Sequence, residues 1–201
     1  MVETNLRMRM MTEPQATVDF SVEEYASAEY PAPLESSLFL NTLIIFDTTT
    51  ILENIKGGTE NRPAFIPYEK ANSYIHMMVR SDRGVNPGAA LKIKATQGDT
   101  IRWRETTLTR GAEHFAVLYQ YVYHSGSRDA LGPPTVRLLK DVKVPLPDKS
   151  GKIGFQTIND YFWEAVAENK GNVTYFFRFK ILGRNADTLG FYYWDPTVEV
   201  T

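Results

Sequence analysis

Six consecutive positions, His124-Ser125-Gly126-Ser127-Arg128-Asp129, hold the residue types of a nucleophilic triad. Such a triad uses a hydroxyl to attack, an imidazole to take its proton and a carboxylate to orient the imidazole. Working triads converge from separate elements of a scaffold. These residues share one short stretch beside Gly132, Pro133 and Pro134, and they read as a polar loop. The other histidines are His76 and His114, and no two of the three stand three or four positions apart. The sequence therefore predicts no helical metal pair and no metal site. Neither a Walker loop nor GxGxxG is present, and Gly57-Gly58 reads as a turn. GxSxG and HExxH are also absent. Asp and Glu are plentiful, but no pair of them stands out for acid and base work. The chain contains no cysteine, which removes disulfides, thiolate ligands and thiol nucleophiles and fits a reducing compartment. No catalytic residue and no cofactor is assigned, and the sequence reads as a non-enzyme.

Aromatic residues are the more informative group. The chain has 11 Tyr, 11 Phe and 3 Trp, and many fall in its last third. Strands aromatic on both faces are either sandwiched on both sides or present one face to a sugar, a small ligand or another subunit.

The elements that would hold these residues read as a series of strands. Leu40 to Phe46 and Ser73 to Val79 are short apolar runs rich in β-formers. Leu91, Ile93 and Ala95 alternate with Lys92 and Lys94, and Gln97-Gly98-Asp99 is a turn. In Thr100 to Thr106, Ile101 and Trp103 take one face, and Arg102 and Arg104 take the other. His114 to Tyr123 is a further strand. Tyr161 to Ala167 suits a helix through Glu164, Ala165 and Ala167, yet Tyr161, Phe162 and Trp163 favour a strand. The clearest alternation follows, with Val173, Tyr175, Phe177, Phe179 and Ile181 on one face. A hairpin from about Phe162 to Leu182, turning at Asn169 to Asn172, is the economical reading. Phe191 to Trp194 and Thr197 to Val200 form a last strand bent at Asp195-Pro196. Short strands about ten residues apart, without regular helices between them, predict an all-β fold. We expect an antiparallel two-sheet β-sandwich over residues 38–201, preceded by an extended arm.

That arm, residues 1–37, differs in composition. The first 40 residues hold seven acidic side chains against two basic ones, and the rest of the chain is mildly basic. Three prolines interrupt it, and Phe20, Tyr25 and Tyr30 would be its anchors if it docks. It reads as a flexible acidic arm, or as one that docks on the body of its own or a neighbouring copy. The net charge of -2 argues against a nucleic-acid partner. No apolar run is long enough to cross a membrane, and the first residues do not form a secretory signal.

Three stretches are distinctive in combination. They are Gly98-Asp99-Thr-Ile-Arg102-Trp103-Arg104-Glu105, Phe191-Tyr-Tyr-Trp194-Asp195-Pro196, and Leu43-Ile-Ile-Phe-Asp47-Thr-Thr-Thr-Ile51 followed by Ser73 to Val79. In order and spacing they resemble the bacterial AidA/PixA inclusion-body protein family, over roughly Leu38 to Val200. The resemblance implies a small cytoplasmic protein under quorum or growth-phase control. Some members accumulate as intracellular inclusions, and members have been tied to interaction with a host. It supplies no catalytic residues. The PixA branch is methionine-rich, whereas this chain has six methionines, four of them in the arm.

Within these motifs Trp103 and Ile101 are expected to fill the core. Arg102 and Arg104 would point outward and pair with Glu105 or a neighbouring carboxylate. Asp195 would cap nearby amides, and Pro196 would lock the bend. A shared ligand pocket of Trp103, Arg104, Trp194 and Asp195 is the sharper alternative. The function expected is non-enzymatic self-association as a homodimer or larger assembly. A carbohydrate or small-ligand binding module is the alternative, and an uncharacterised enzyme is the third reading.

Overall fold

The structure is a computed structural model that describes residues 38–201; the expected arm lies outside the described residues. The chain enters β1 (Phe39–Phe46), whose Leu40, Thr42, Ile44 and Phe46 point inward. Asp47 then caps α1 (Thr48–Asn54), its carboxylate accepting from the Thr50 amide at 3.1 Å and the Thr50 hydroxyl at 2.7 Å. A short polar side chain of this kind satisfies the free amides of a first helical turn. After β2 (Ala64–Phe65), α2 (Tyr68–Tyr74) runs directly into β3 (Ile75–Met78). The strand expected from Ser73 therefore starts two residues later. Next come β4 (Gly84–Val85), β5 (Lys92–Ala95), β6 (Thr100–Thr107) and β7 (His114–Gly126). The last five strands are β8 (Thr135–Pro147), β9 (Ile153–Val166), β10 (Gly171–Gly183), β11 (Thr188–Trp194) and β12 (Thr197–Val200).

These strands form two sheets. One has the order β3-β1-β6-β9-β8, and the other contains β2, β11, β10, β12, β5 and β4, with β7 also paired to β10. The two-sheet β-sandwich is as expected. Its sheets are mixed, however, because β1 with β6, β11 with β2 and β12 with β5 run parallel. Parallel neighbours need long crossovers, and the residues between β1 and β6, including both helices, supply one.

The hairpin expected across residues 162–182 does not form. β9 pairs with β6 and β8 in one sheet, whereas β10 pairs with β7, β11 and β12 in the other. The Asn169 to Asn172 turn is a corner between the sheets. Alternation fixes which face of a strand is buried, and both strands bury a face in the same core from opposite sides. The true partner of β9 is β8, in a long hairpin over residues 135–166.

Between the sheets lie Trp103 and Ile101 from β6 and Trp163 from β9. They meet Tyr175, Phe177 and Phe179 from β10 and Tyr192 and Trp194 from β11. Asp99 ties the core's edge together. Its buried carboxylate accepts from the Leu38 amide at 2.9 Å and the Thr96 amide at 2.8 Å, and Arg83 lies 3.6 Å away.

Candidate functional site

The four residues expected to share a pocket lie in three places. Trp103 and Trp194 are both in the core, on either side of Phe177, with ring centroids at 5.5 and 6.1 Å from it. The Trp103 indole N–H donates to the Tyr175 hydroxyl at 3.0 Å, and that of Trp163 donates to the Leu118 carbonyl at 3.1 Å. The Trp194 indole nitrogen is buried without a hydrogen-bond partner. Arg104 sits on the outer face of the five-stranded sheet. It donates to Asn41 Oδ1 at 2.9 Å, and its guanidinium lies 4.4 Å from the Phe162 ring. Asp195 lies at the bend after β11. Partial burial raises its carboxyl above the ordinary value, against the pull of a backbone hydrogen bond. The geometry thus joins the two tryptophans and separates Arg104 and Asp195 from them.

Around Arg104 the outer face is an arginine and aromatic surface. Arg102 Nε donates to Glu164 Oε2 at 3.2 Å, and Arg137 Nε donates to Glu164 Oε1 at 2.6 Å. The Arg102 guanidinium stacks 3.7 Å over Phe39. Glu105 is not the partner of these arginines. It shares the inward parity of Trp103, and it accepts from the Leu118 amide at 3.3 Å and from the Tyr161 hydroxyl. Burial pushes its carboxyl from 4.5 up to about 8, against the pull of backbone hydrogen bonds.

The nucleophile-like stretch is not assembled for catalysis. The His124 ring packs on Phe176 with centroids 4.5 Å apart, and among the described residues no hydrogen bond links it to Ser125, Ser127 or Asp129. Among the described residues, no three of His, Asp and Glu gather closely enough to hold a metal ion. None of the described helices is long and apolar enough to cross a membrane. On the outer face of the seven-stranded sheet, Tyr193 meets Phe176 at 71° and Phe65 at 42°. These rings pack on one another at angles and do not form a flat row.

The feature that the sequence reading missed is the far half of the β8–β9 hairpin. β9 pairs with β6 only through Trp163 to Val166, so residues 153–162 are paired to β8 alone. The result is a two-stranded ribbon extending beyond the shared sheet. Register places Val142, Val144 and Leu146 with Ile158 on one side, and Pro145 and Pro147 with Phe155 and Ile153 on the other. Leu146, Ile153 and Phe155 are 57, 63 and 67% exposed. Asp148 fixes the tip, accepting from the Ser150 amide at 2.8 Å and the Lys152 amide at 3.0 Å. A bond from the Ser150 hydroxyl, followed by those from the amides, holds its carboxyl below the ordinary value. The signal available in the sequence was Val142, Val144 and Leu146 alternating across the Asp148 to Gly151 turn from Ile153 and Phe155.

Comparison with known proteins gives a consistent result. A family model described as PixA, inclusion body protein, matches residues 39–200. The crystal structure of an inclusion body protein (PixA) from Burkholderia cenocepacia J2315 superposes with a TM-score of 0.70 at 17% identity. That match covers 82% of this chain and 97% of the other, and it speaks to the fold. Amebosin (TM-score 0.26, 16% identity, 60 and 93% covered) is too distant to carry an argument. So is a multicopper oxidase from Campylobacter jejuni (TM-score 0.32, 11% identity, 86 and 32% covered). No curated protein matches.

Proposed function

This chain belongs to the PixA inclusion body protein family, and from that premise we propose that it is a non-enzymatic protein whose work is self-association. The observation that carries the reading is the ribbon. A two-stranded hairpin is marginal in water by itself, and exposed apolar groups of this size mark a surface that meets something. Its charges are mixed, with Lys140, Lys143, Lys149 and Lys152 beside Asp141, Asp148 and Asp160, so a second ribbon is an electrostatically acceptable partner. Edge-to-edge growth along β8 is disfavoured, because Pro145, Pro147 and the irregularity between Leu139 and Val142 interrupt that strand. Face-to-face pairing about a two-fold axis satisfies both constraints and gives a homodimer. A ribbon face roughly 20 Å by 10 Å covers on the order of 200 Å² per copy, less than a standard specific interface, so pairing through the ribbon alone is a weak association.

Carbohydrate binding is the less supported reading, since the outer rings are tilted against one another and offer no flat platform. A cytoplasmic location, growth-phase or quorum control and a part in host interaction belong to the same proposal and rest on the family alone. Sedimentation velocity over a concentration series tests the self-association. We expect the wild-type chain to associate at tens of micromolar and Phe155→Asp to remain monomeric with an unchanged circular dichroism spectrum. A wild-type chain that stays monomeric, or a Phe155→Asp chain that associates equally, would overturn the reading.

A further inference from the structure

We propose that the outer face of the five-stranded sheet is the docking site for the chain's own acidic segment, residues 1–37. This inference stands apart from the self-association reading, which concerns the ribbon. The face is unusual in composition. Phe39, Leu43, Ile45 and Met78 give it an apolar floor along β1 and β3, with Leu43 and Met78 more than a third exposed. Arg102, Arg104 and Arg137 stand over its β6 to β8 side. The carboxylates on that side are Glu164, shared by two of the arginines, and Asp160. Phe162 points away from the inner core, yet its ring has no solvent exposure. Apolar groups are therefore buried on this face as well as between the sheets.

Charge and chain geometry select the occupant. Residues 1–37 contain Glu3, Glu13, Asp19, Glu23, Glu24, Glu29 and Glu35 against Arg7 and Arg9, so the segment is strongly anionic, whereas the face sets three arginines against two carboxylates. Phe20, Tyr25 and Tyr30 are interleaved with these acids. A surface of guanidinium groups and aromatic rings suits a partner of that pattern, with the rings supplying the contact area and the carboxylates the register. The segment joins the body at Leu38, held by Asp99 at the start of β1. β1 is two strands from β9, or about 10 Å away. Tethering at that point gives the segment an effective concentration near the millimolar range, which favours its own body over a neighbour's.

The test uses the full chain. It lacks cysteine, so Met78→Cys carries a single spin label on the exposed edge of the face. Nitrogen-15 spectra then report which resonances of residues 1–37 are broadened. Mixing spin-labelled natural-abundance copies with unlabelled nitrogen-15 copies separates contacts within one chain from contacts between chains. We expect broadening around residues 20–30 within one chain. Arg104→Glu should weaken docking by roughly fivefold, as the reversal of one partly exposed charge would, and raised salt should weaken it further. Arg104 bonds Asn41 at the surface, so unchanged resonances of the body verify that the variant is folded. No broadening in residues 1–37 would overturn the proposal. Broadening only between chains would assign the face to another copy's segment and overturn it too. Broadening that ignores both Arg104→Glu and salt would remove its electrostatic basis.

Discussion

Glu105 shows how far a single residue departs from what its neighbours in sequence suggest. Placed after Arg102 and Arg104, it reads as their partner, but period two puts it on the side of Trp103, and Glu164 takes the arginine role from another strand. Adjacency was legible in the sequence, and the cross-strand partner was not, because register is a property of the sheet. Its carboxyl is pushed up to about 8 by burial, from an ordinary 4.5. The unfolded chain therefore releases this proton first. Stability is fullest below about pH 4.5, falls as pH rises towards 8 and stays lowered above that. Glu105→Gln keeps an acceptor for the Tyr161 hydroxyl and removes the titration. We expect its free energy of unfolding, from urea titration, to exceed that of the wild type at pH 8.5 by up to about 5 kcal/mol, and the pH dependence between 5 and 8 to flatten. A Gln variant that keeps the wild-type slope would place the carboxyl in solvent. The two core motif tryptophans make a second comparison. Trp103 gives its indole hydrogen to Tyr175, while the Trp194 nitrogen has no partner. Trp103→Phe should cost about 1 kcal/mol more than Trp194→Phe in denaturant titration, the worth of one buried hydrogen bond. Equal losses would mean that packing alone sets both.

At the scale of elements, the strands themselves were readable where one face is apolar. β6, β10 and β12 follow period two closely, and their inward residues form the core. Pairing was harder to read. The 162–182 segment carries all the features of a hairpin except a shared sheet, and nothing in an alternating pattern tells a same-sheet turn from a corner between sheets. β8 leaves little signal in the sequence, because Pro145, Pro147 and Lys140-Asp141 break its run and most of it is exposed. Gly57-Gly58, just before β2, reads as a turn in the sequence, and its surroundings add a reason. A Cβ on Gly58 would meet the Arg62 carbonyl oxygen at 2.1 Å and the Ala64 nitrogen at 2.7 Å, both backbone. Gly58→Ala must displace the turn that carries β2 and strain the 3.1 Å bond from the Gly58 amide to Phe191. We expect it to destabilise by about 2 kcal/mol or more. Gly154→Ala on the ribbon meets only the Leu146 oxygen at 3.4 Å and should stay within about 0.5 kcal/mol of wild type. Thermal unfolding of both variants checks the ranking, and the reverse order would contradict the packing described around β2.

For the molecule as a whole, the sandwich is a self-sufficient core with an extension that its own sheets do not cover. The core consumes the inward aromatics of both sheets, including the two motif tryptophans that would otherwise have lined a pocket. The ribbon leaves Leu146, Ile153 and Phe155 at the surface, on a tip fixed by Asp148. In the assembly we propose, copies would meet through this extension and keep their fold, so stability and assembly would be separately adjustable. Disulfide trapping tests that claim most directly, because the chain has no cysteine to interfere. Phe155→Cys and, as a control on a different exposed apolar residue, Leu108→Cys would be oxidised mildly at micromolar protein and resolved on non-reducing gels. Ribbons that pair about a two-fold axis predict a covalent dimer for Phe155→Cys that forms faster than for Leu108→Cys and is slowed by excess unlabelled wild-type chain. Equal, slow cross-linking of the two variants, unaffected by wild-type competitor, would contradict assembly through the ribbon.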